Sequence, residues 1–175
     1  ELCGVYIYWN QKATKLFDAR KLPKLTSLSI MESNKLTDFS GLEGSNIESL
    51  EILGCNFTGS FVPKMFVADF QIFTKMPKLR TLNLVLAKNK DSRADLIALS
   101  KLTTLKKIHV FDRYFTFEQF AWLKSKLPHI TGIEPIYELK NWQDKTVWSV
   151  IGNKKLTINK QEIADEYKSH FYDLV

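Results

Sequence analysis

The chain has few of the residues that staple, break or anchor a fold. Two cysteines, Cys3 and Cys55, among 175 residues are too few for a disulfide framework, so an oxidising compartment is not required. Seven glycines and five prolines exclude a collagenous or low-complexity chain. No apolar run reaches the roughly 18 residues that a membrane-spanning helix needs. The opening "ELCGVYIYWN" has no start methionine and no basic leader; a signal peptide is not readable in it, whether cleaved or never included. The cytoplasm is the preferred compartment, with secretion and surface display left open. No G-x-S-x-G, P-loop or G-x-G-x-x-G is present, and those are the commonest short signatures of hydrolases and nucleotide binders. His109, His129 and His170 stand without a second His, Cys or carboxylate at metal-ligand spacing, so no metal site and no cofactor is expected. Asp165 and Glu166 are adjacent in a helical stretch, where neighbours point different ways. The chain is expected not to be an enzyme.

Apolar residues are abundant. Hydrophobic residues make up 45% and aromatics 13%, ample for the core of one domain. The net charge of +6 is unevenly spread. Residues 31–60 carry five acids (Glu32, Asp38, Glu43, Glu48, Glu51) against Lys35, a balance of −4. Residues 75–130 carry twelve Lys or Arg against Asp91, Asp95, Asp112 and Glu118, a balance of +8. A solvated lysine-rich surface is the plain explanation; steering of an acidic partner or of nucleic acid is the functional one.

One pattern recurs along the chain. The template L-x-x-L-x-L occurs as "LTSLSI" (25–30), "IESLEI" (47–52), "LRTLNL" (79–84) and "LKKIHV" (105–110), and "LCGVYI" (2–7) fits it too. "ITGI" (130–133) fits its first half. The starts at 2, 25, 47, 79, 105 and 130 are spaced 23, 22, 32, 26 and 25 residues apart. Upstream of the strands, Phe70, Phe73, Met76, Leu79, Leu82 and Leu84 stand at steps of 3, 3, 3, 3 and 2. Leu96, Leu99, Leu102, Leu105, Ile108 and Val110 repeat those steps. A step of three suits an α or 3₁₀ turn, and a final step of two suits a strand. Each unit is therefore a helical turn or two followed by a strand. Stacking such units buries their apolar edges and aligns the strands in a parallel sheet. The expected strands are 3–7, 26–30, 48–52, 80–84 and 106–110.

These residues resemble the leucine-rich-repeat family in its short bacterial form, with units of roughly 22 residues. The stretches "TDFSGLEGSNIESLEI" and "DFQIFTKMPKLRTLNL" are close to its consensus, and the resemblance covers about residues 2–133. It implies an α/β solenoid with a parallel sheet on the concave face and short helices or 3₁₀ turns on the convex face. It also implies Asn or Cys at position 9 of each unit, pointing inward. Cys55 holds that place after Ile47, Asn10 after Leu2, and Ser33 beside Asn34 after Leu25; Ala87 and Arg113 depart from it. Cys55 is thus expected to be a buried, inert thiol. Cys3 sits two strands away, facing differently, too far for a disulfide.

The organisation expected is a solenoid over 1–136, of five or six repeats with an insertion near 57–66, and a capping segment over 137–175. Phe57, Phe61 and Phe66 suggest that the insertion packs somewhere. Thr116 with Gln119 forms a capping-box spacing ahead of the longest helix of the repeats, which ends before Pro128. "ITGIEP" begins a strand that Glu134-Pro135 stops. Thr146 to Ile151 reads as a strand, "NKKLTINK" as a turn, and the stretch from Asn159, taken as N-cap, as a helix. Ile163, Tyr167, Phe171 and Leu174 form one apolar stripe on that helix. At the other end no cap is readable: either earlier residues exist or the first repeat leans on a neighbour.

The outward strand positions define the candidate surface. Tyr8, Met31, Leu53, Val85 and Phe111 form an apolar row, and Tyr6, Glu51, Asn83 and His109 belong to a polar one. Arg80, Lys106 and Lys107 supply a basic rim. An exposed apolar row of that length is expected to bind, so the chain is read as a protein-interaction module, an inhibitor or adaptor, for an unidentified partner. Nucleic-acid binding through 75–130 is the alternative, though its lysines are not interleaved with exposed aromatics. A regulatory or targeting module of a larger chain is another.

Overall fold

The computed structural model describes residues 2–54, 62–140, 146–152, 157–158 and 160–175. Cys55, Phe57 and Phe61 lie outside these, and with them the expectations about the thiol and most of the insertion. The chain divides into two compact units, Glu1–Phe111 and Asp112–Val175. Residues 112–136, joined to the repeats in the sequence reading, fall in the second unit. No helix among the described residues is long and apolar enough to cross a membrane.

In the first unit, β1 (Gly4–Tyr8), β2 (Ser27–Met31), β3 (Ser49–Leu53), β4 (Thr81–Val85) and β5 (Lys107–Val110) form one parallel sheet in chain order. No barrel closes. The strands begin one residue later than their expected starts. The register is the one that the repeated motif dictates. Val5, Leu28, Leu50, Leu82 and Ile108 align in one row, and Ile7, Ile30, Ile52, Leu84 and Val110 in the next. From β2 to β5 all of these side chains are buried, because alternate residues of a strand share a face. In β1, Val5 and Ile7 are only half-buried.

The connections return behind the sheet. The first two contain 3₁₀ turns, Ala19–Lys21 and Ser40–Leu42, and the next two contain helices α1 (Gln71–Thr74) and α2 (Ser92–Ser100). Successive connections lie side by side. Phe70, Phe73 and Met76, then Leu96, Leu99 and Leu102, face inward as the step of three requires. Each large side chain so buried contributes about 1.5–3 kcal/mol. Asp91 caps α2 by accepting from the Arg93 and Ala94 amides. At position 9, the Asn10 side chain accepts from the Lys12 and Ala13 amides at 3.1 and 3.0 Å. It sits on an exposed residue, so it closes the turn from the solvent side. Ser33 does face inward, fully buried, and its Oγ accepts from the Asn10 amide. Where Ala87 lacks a polar side chain, Asn89 serves instead, donating to Val67 O at 2.7 Å and to Asp95 Oδ1 at 3.2 Å.

The second unit contains α3 (Phe117–Lys126), an antiparallel sheet in the order β6 (Ile136–Lys140), β7 (Thr146–Val150), β8 (Thr157–Ile158), and α4 (Gln161–Asp173). Among the described residues no strand lies over "ITGI"; β6 begins just after Pro135 instead. A proline is tolerated at a strand's start, and its carbonyl is used by the Ile151 amide. Thr157–Ile158 is a strand where a turn was expected. The capping box is present: Gln119 N donates to Thr116 Oγ1, and Thr116 N donates to Gln119 Oε1. The helix α4 has Lys160 as N-cap, without a side-chain bond. Its buried side chains are Ala164 and Phe171, with Tyr167 half-buried, while Ile163 and Leu174 are exposed. The expected stripe is therefore rotated toward Ala164. The reason is a ring cluster: Phe117 lies edge-on to Phe171 and Tyr167 at 5.3 and 5.9 Å and stacks on His170 at 5.8 Å. That geometry selects positions 164, 167 and 171 of α4.

Candidate functional site

The sheet face that points away from the buried rows carries most of the expected surface residues. Tyr6, Ser29, Glu51, Asn83 and His109 stand in one register row. Three of them are linked. The Asn83 side-chain amide donates to Glu51 Oε1 at 3.2 Å, and its Oδ1 lies 2.9 Å from His109 Nδ1. A carbonyl oxygen only accepts, so Nδ1 carries the proton in this arrangement. The chain Glu51–Asn83–His109 fixes three polar side chains across β3, β4 and β5. At the other side Tyr6 OH donates to Met31 Sδ at 3.3 Å, tying β1 to β2.

The apolar row is graded. Tyr8 and Tyr6 are 54% and 60% exposed, and their rings stack with centroids 6.2 Å apart. Met31, Val85 and Phe111 are half-buried, and Leu53 is only 8% exposed. The row stands where the strands turn into their connections. The returning insertion runs beside that turn, with Lys64 N donating to Gly54 O at 2.9 Å. The large exposed part of the row is thus at β1, not spread over five strands. Arg80, Lys106 and Lys107 are exposed near the opposite side, and Arg80 Nε lies 3.8 Å from Glu48.

Two residues escaped sequence reading. Trp9 is 56% exposed, and its ring lies 6.2 Å from that of Tyr8. It extends the aromatic patch to Tyr6, Tyr8 and Trp9. Glu32 is 4% exposed, and neither of its carboxylate oxygens has a hydrogen-bond partner. Both residues take positive φ, 55° and 52°, at the position that ends the strand. The signal available was position alone: each follows the last residue of its strand and precedes a polar turn residue.

Among the described residues no group of three His, Cys, Asp or Glu is placed to hold a metal ion. His109 and His129 are exposed, and His170 is stacked on Phe117. In the second unit a cleft of about 560 Å³ is lined by Phe117, Glu118, Glu166, Tyr167 and His170, with Thr116, Val150 and Gly152. Hydrogen bonds from its own backbone amide and from Thr116, with the nearby His170, hold the Glu118 carboxyl below the usual range. It is an ionised carboxylate there, suited to attract a cation rather than to donate a proton.

Comparison with known proteins returns no match: no family model, no curated protein and no solved structure is similar to this chain.

Proposed function

We propose that Glu1–Phe111 is a leucine-rich-repeat-type solenoid whose outward sheet face binds a partner protein. The solenoid reading is supported by the motif and the register together: every L-x-x-L-x-L from β2 onward supplies two consecutive buried rows of one parallel sheet. The observation that carries the binding reading is the exposed aromatic patch of Tyr6, Tyr8 and Trp9 on that face. Large rings held in place offer much contact area at little entropic cost, which is why they anchor interfaces. The linked Glu51–Asn83–His109 row adds preorganised polar groups, and Arg80, Lys106 and Lys107 form a basic rim. An inhibitor or adaptor uses a surface of this kind.

The test is capture of a partner by the immobilised chain and by a variant carrying Tyr8→Ser and His109→Ser, with nuclease present. Binding that survives nuclease and a rise from about 50 to about 200 mM salt, and is lost in the variant, is expected. Nucleic-acid binding would fall by orders of magnitude over that range. Retention of nucleic acid alone, or a partner indifferent to both substitutions, would overturn the reading.

A further inference from the structure

The outward sheet face of the first unit changes charge sign in strand order. Glu48 stands just before β3, Arg80 just before β4 and Lys106 just before β5. The Arg80 amide donates to Glu48 O and the Lys106 amide to Arg80 O, both at 2.8 Å, so the three residues lie side by side at the head of the sheet. The same order recurs one step earlier in each repeat. Glu43, Lys75 and Lys101 are the C-cap residues of the 3₁₀ turn Ser40–Leu42, of α1 and of α2. All of these residues are exposed.

In both rows the middle cation is paired with the acid before it. Lys75 Nζ lies 3.3 Å from Glu43 Oε2, and Arg80 Nε lies 3.8 Å from Glu48 Oε2. One repeat further on, Lys101 has no ion-pair partner among the described residues. Neither does Lys107, which follows Lys106 and aligns with Thr81 of β4. Positive charge is therefore cancelled at the head of β3 and β4 and left over at the head of β5. Exposed ion pairs add little to stability, so the repeated order is a property of the surface and not a support of the fold.

We propose that the partner of this face meets the β5 end with a small cluster of carboxylates on an acidic protein surface, and that the charge order from β3 to β5 fixes its orientation. The inference rests on the reading of this face as a protein-binding surface and names the chemistry of the partner. An acidic group over Lys101, Lys106 and Lys107 is attracted. One displaced toward β3 meets Glu43 and Glu48 and is repelled, so a single placement is selected. Extent and composition favour a protein over nucleic acid. Neighbouring strands are about 4.8 Å apart, so the basic area is only about two strands wide before the acids begin. Single-stranded nucleic acid follows a basic groove over about 4–16 nucleotides and stacks its bases on aromatic rings. No aromatic residue stands among Glu43, Lys75 and Lys101 or among Glu48, Arg80 and Lys106, and Glu43 and Glu48 would repel a phosphate backbone crossing the strands.

Titration of the whole chain with a short oligoglutamate peptide at low salt, followed by amide shifts in NMR spectra, tests this. The amides of residues 101–107 and of β5 should move most. The double variant Lys101→Glu, Lys107→Glu changes only exposed side chains, so it should fold, and it should weaken the peptide about tenfold or more. Lys88→Glu with Lys90→Glu makes the same charge change at exposed lysines between β4 and α2 and should weaken it less than about twofold. Glu48→Gln releases Arg80 and should tighten it. Equal weakening by the two double variants would show attraction by net charge alone and overturn the proposal. So would tighter binding of a single-stranded oligonucleotide of equal charge at the same amides. For a protein captured by this face, Lys101→Glu with Lys107→Glu should slow association and leave dissociation nearly unchanged. A captured protein that depends on Tyr8 and His109 but associates as fast with this variant would overturn the inference and leave the binding face itself standing.

Discussion

In the unit Glu1–Phe111, each buried leucine has a counterpart one strand away: Leu28, Leu50, Leu82 and Ile108 stand in a single row. In the unit Asp112–Val175, the buried rings converge instead. Phe117 meets Phe171 at 5.3 Å, and Phe115 meets Phe120 at 5.5 Å, on elements that share no motif. A repeated core spreads its stability over like neighbours. A convergent one concentrates it in a few large side chains. The difference also separates surface from support: the parallel sheet presents a whole face of aligned side chains, while the antiparallel sheet of the second unit packs against α4.

The sharpest way to break the comparison is to remove one core side chain from each unit. Phe171→Ala should cost about 3–5 kcal/mol and Leu82→Ala about 2–5 kcal/mol. Hydrogen exchange should show the first loss confined to α3, α4 and β6–β8. The second should be strongest in β3–β5 and decline toward β1. Uniform loss across the whole chain in either variant would mean that the two cores are not distinct.

Two glycines give the next largest effect. A Cβ at Gly41 would lie 2.1 Å from Phe17 O, and one at Gly152 would lie 2.3 Å from Phe117 N at a φ of +74°. Gly41→Ala should cost about 1–3 kcal/mol through the clash alone. Gly152→Ala adds the strain of a left-handed backbone, about 1–2 kcal/mol, and should be the worse of the two in urea unfolding.

Smaller still is the cap of α3. Thr116→Ala should lower stability by about 1 kcal/mol, with Thr116→Ser restoring most of it. On the surface of the first unit, Arg80→Ala should change stability by less than about 1 kcal/mol, since its partner Glu48 lies 3.8 Å away and both are half-exposed. If Arg80 belongs to a binding rim, its removal acts on affinity instead. The smallest effect is acid-dependent. Hydrogen bonds from Ser40, with Lys15 alongside, hold the Asp38 carboxyl below its ordinary value of 3.8. A depressed carboxyl stabilises the fold above that value, and the contribution fades as pH falls through the folded-state titration. Asp38→Asn should therefore lower stability slightly at neutral pH, with the difference from the unsubstituted chain closing as pH falls and the Asp38 carboxyl is protonated.

How much was legible follows from the same contrast. The steps of three and two placed β1–β5 to within a residue at their starts, because the same burial rule acts on every copy. Thr116 and Gln119 announced α3 through local hydrogen bonds. The stripe on α4 was misjudged, since Ile163 and Leu174 look as apolar as Phe171 until the position of Phe117 is known. That position depends on long-range packing, which no local period records. β8 was hidden for a similar reason: Thr157 and Ile158 are a strand only because Ser149 and Trp148 pair with them. At the surface, the polar row was readable from strand alternation. The closing of the apolar row at Leu53, the exposure of Trp9 and the burial of Glu32 were not, because they arise where strands end and the chain turns out of register.

The central claim is that the outward sheet face of the first unit is the binding surface. A photoreactive phenylalanine analogue placed in turn at Tyr8, His109 and Tyr172 tests it most directly, with captured proteins identified by mass and then measured as purified partners. The account predicts one protein, other than this chain, captured from Tyr8 and from His109 but not from Tyr172, an exposed side chain of the second unit. Capture from Tyr172 alone, or from none of the three, would contradict it.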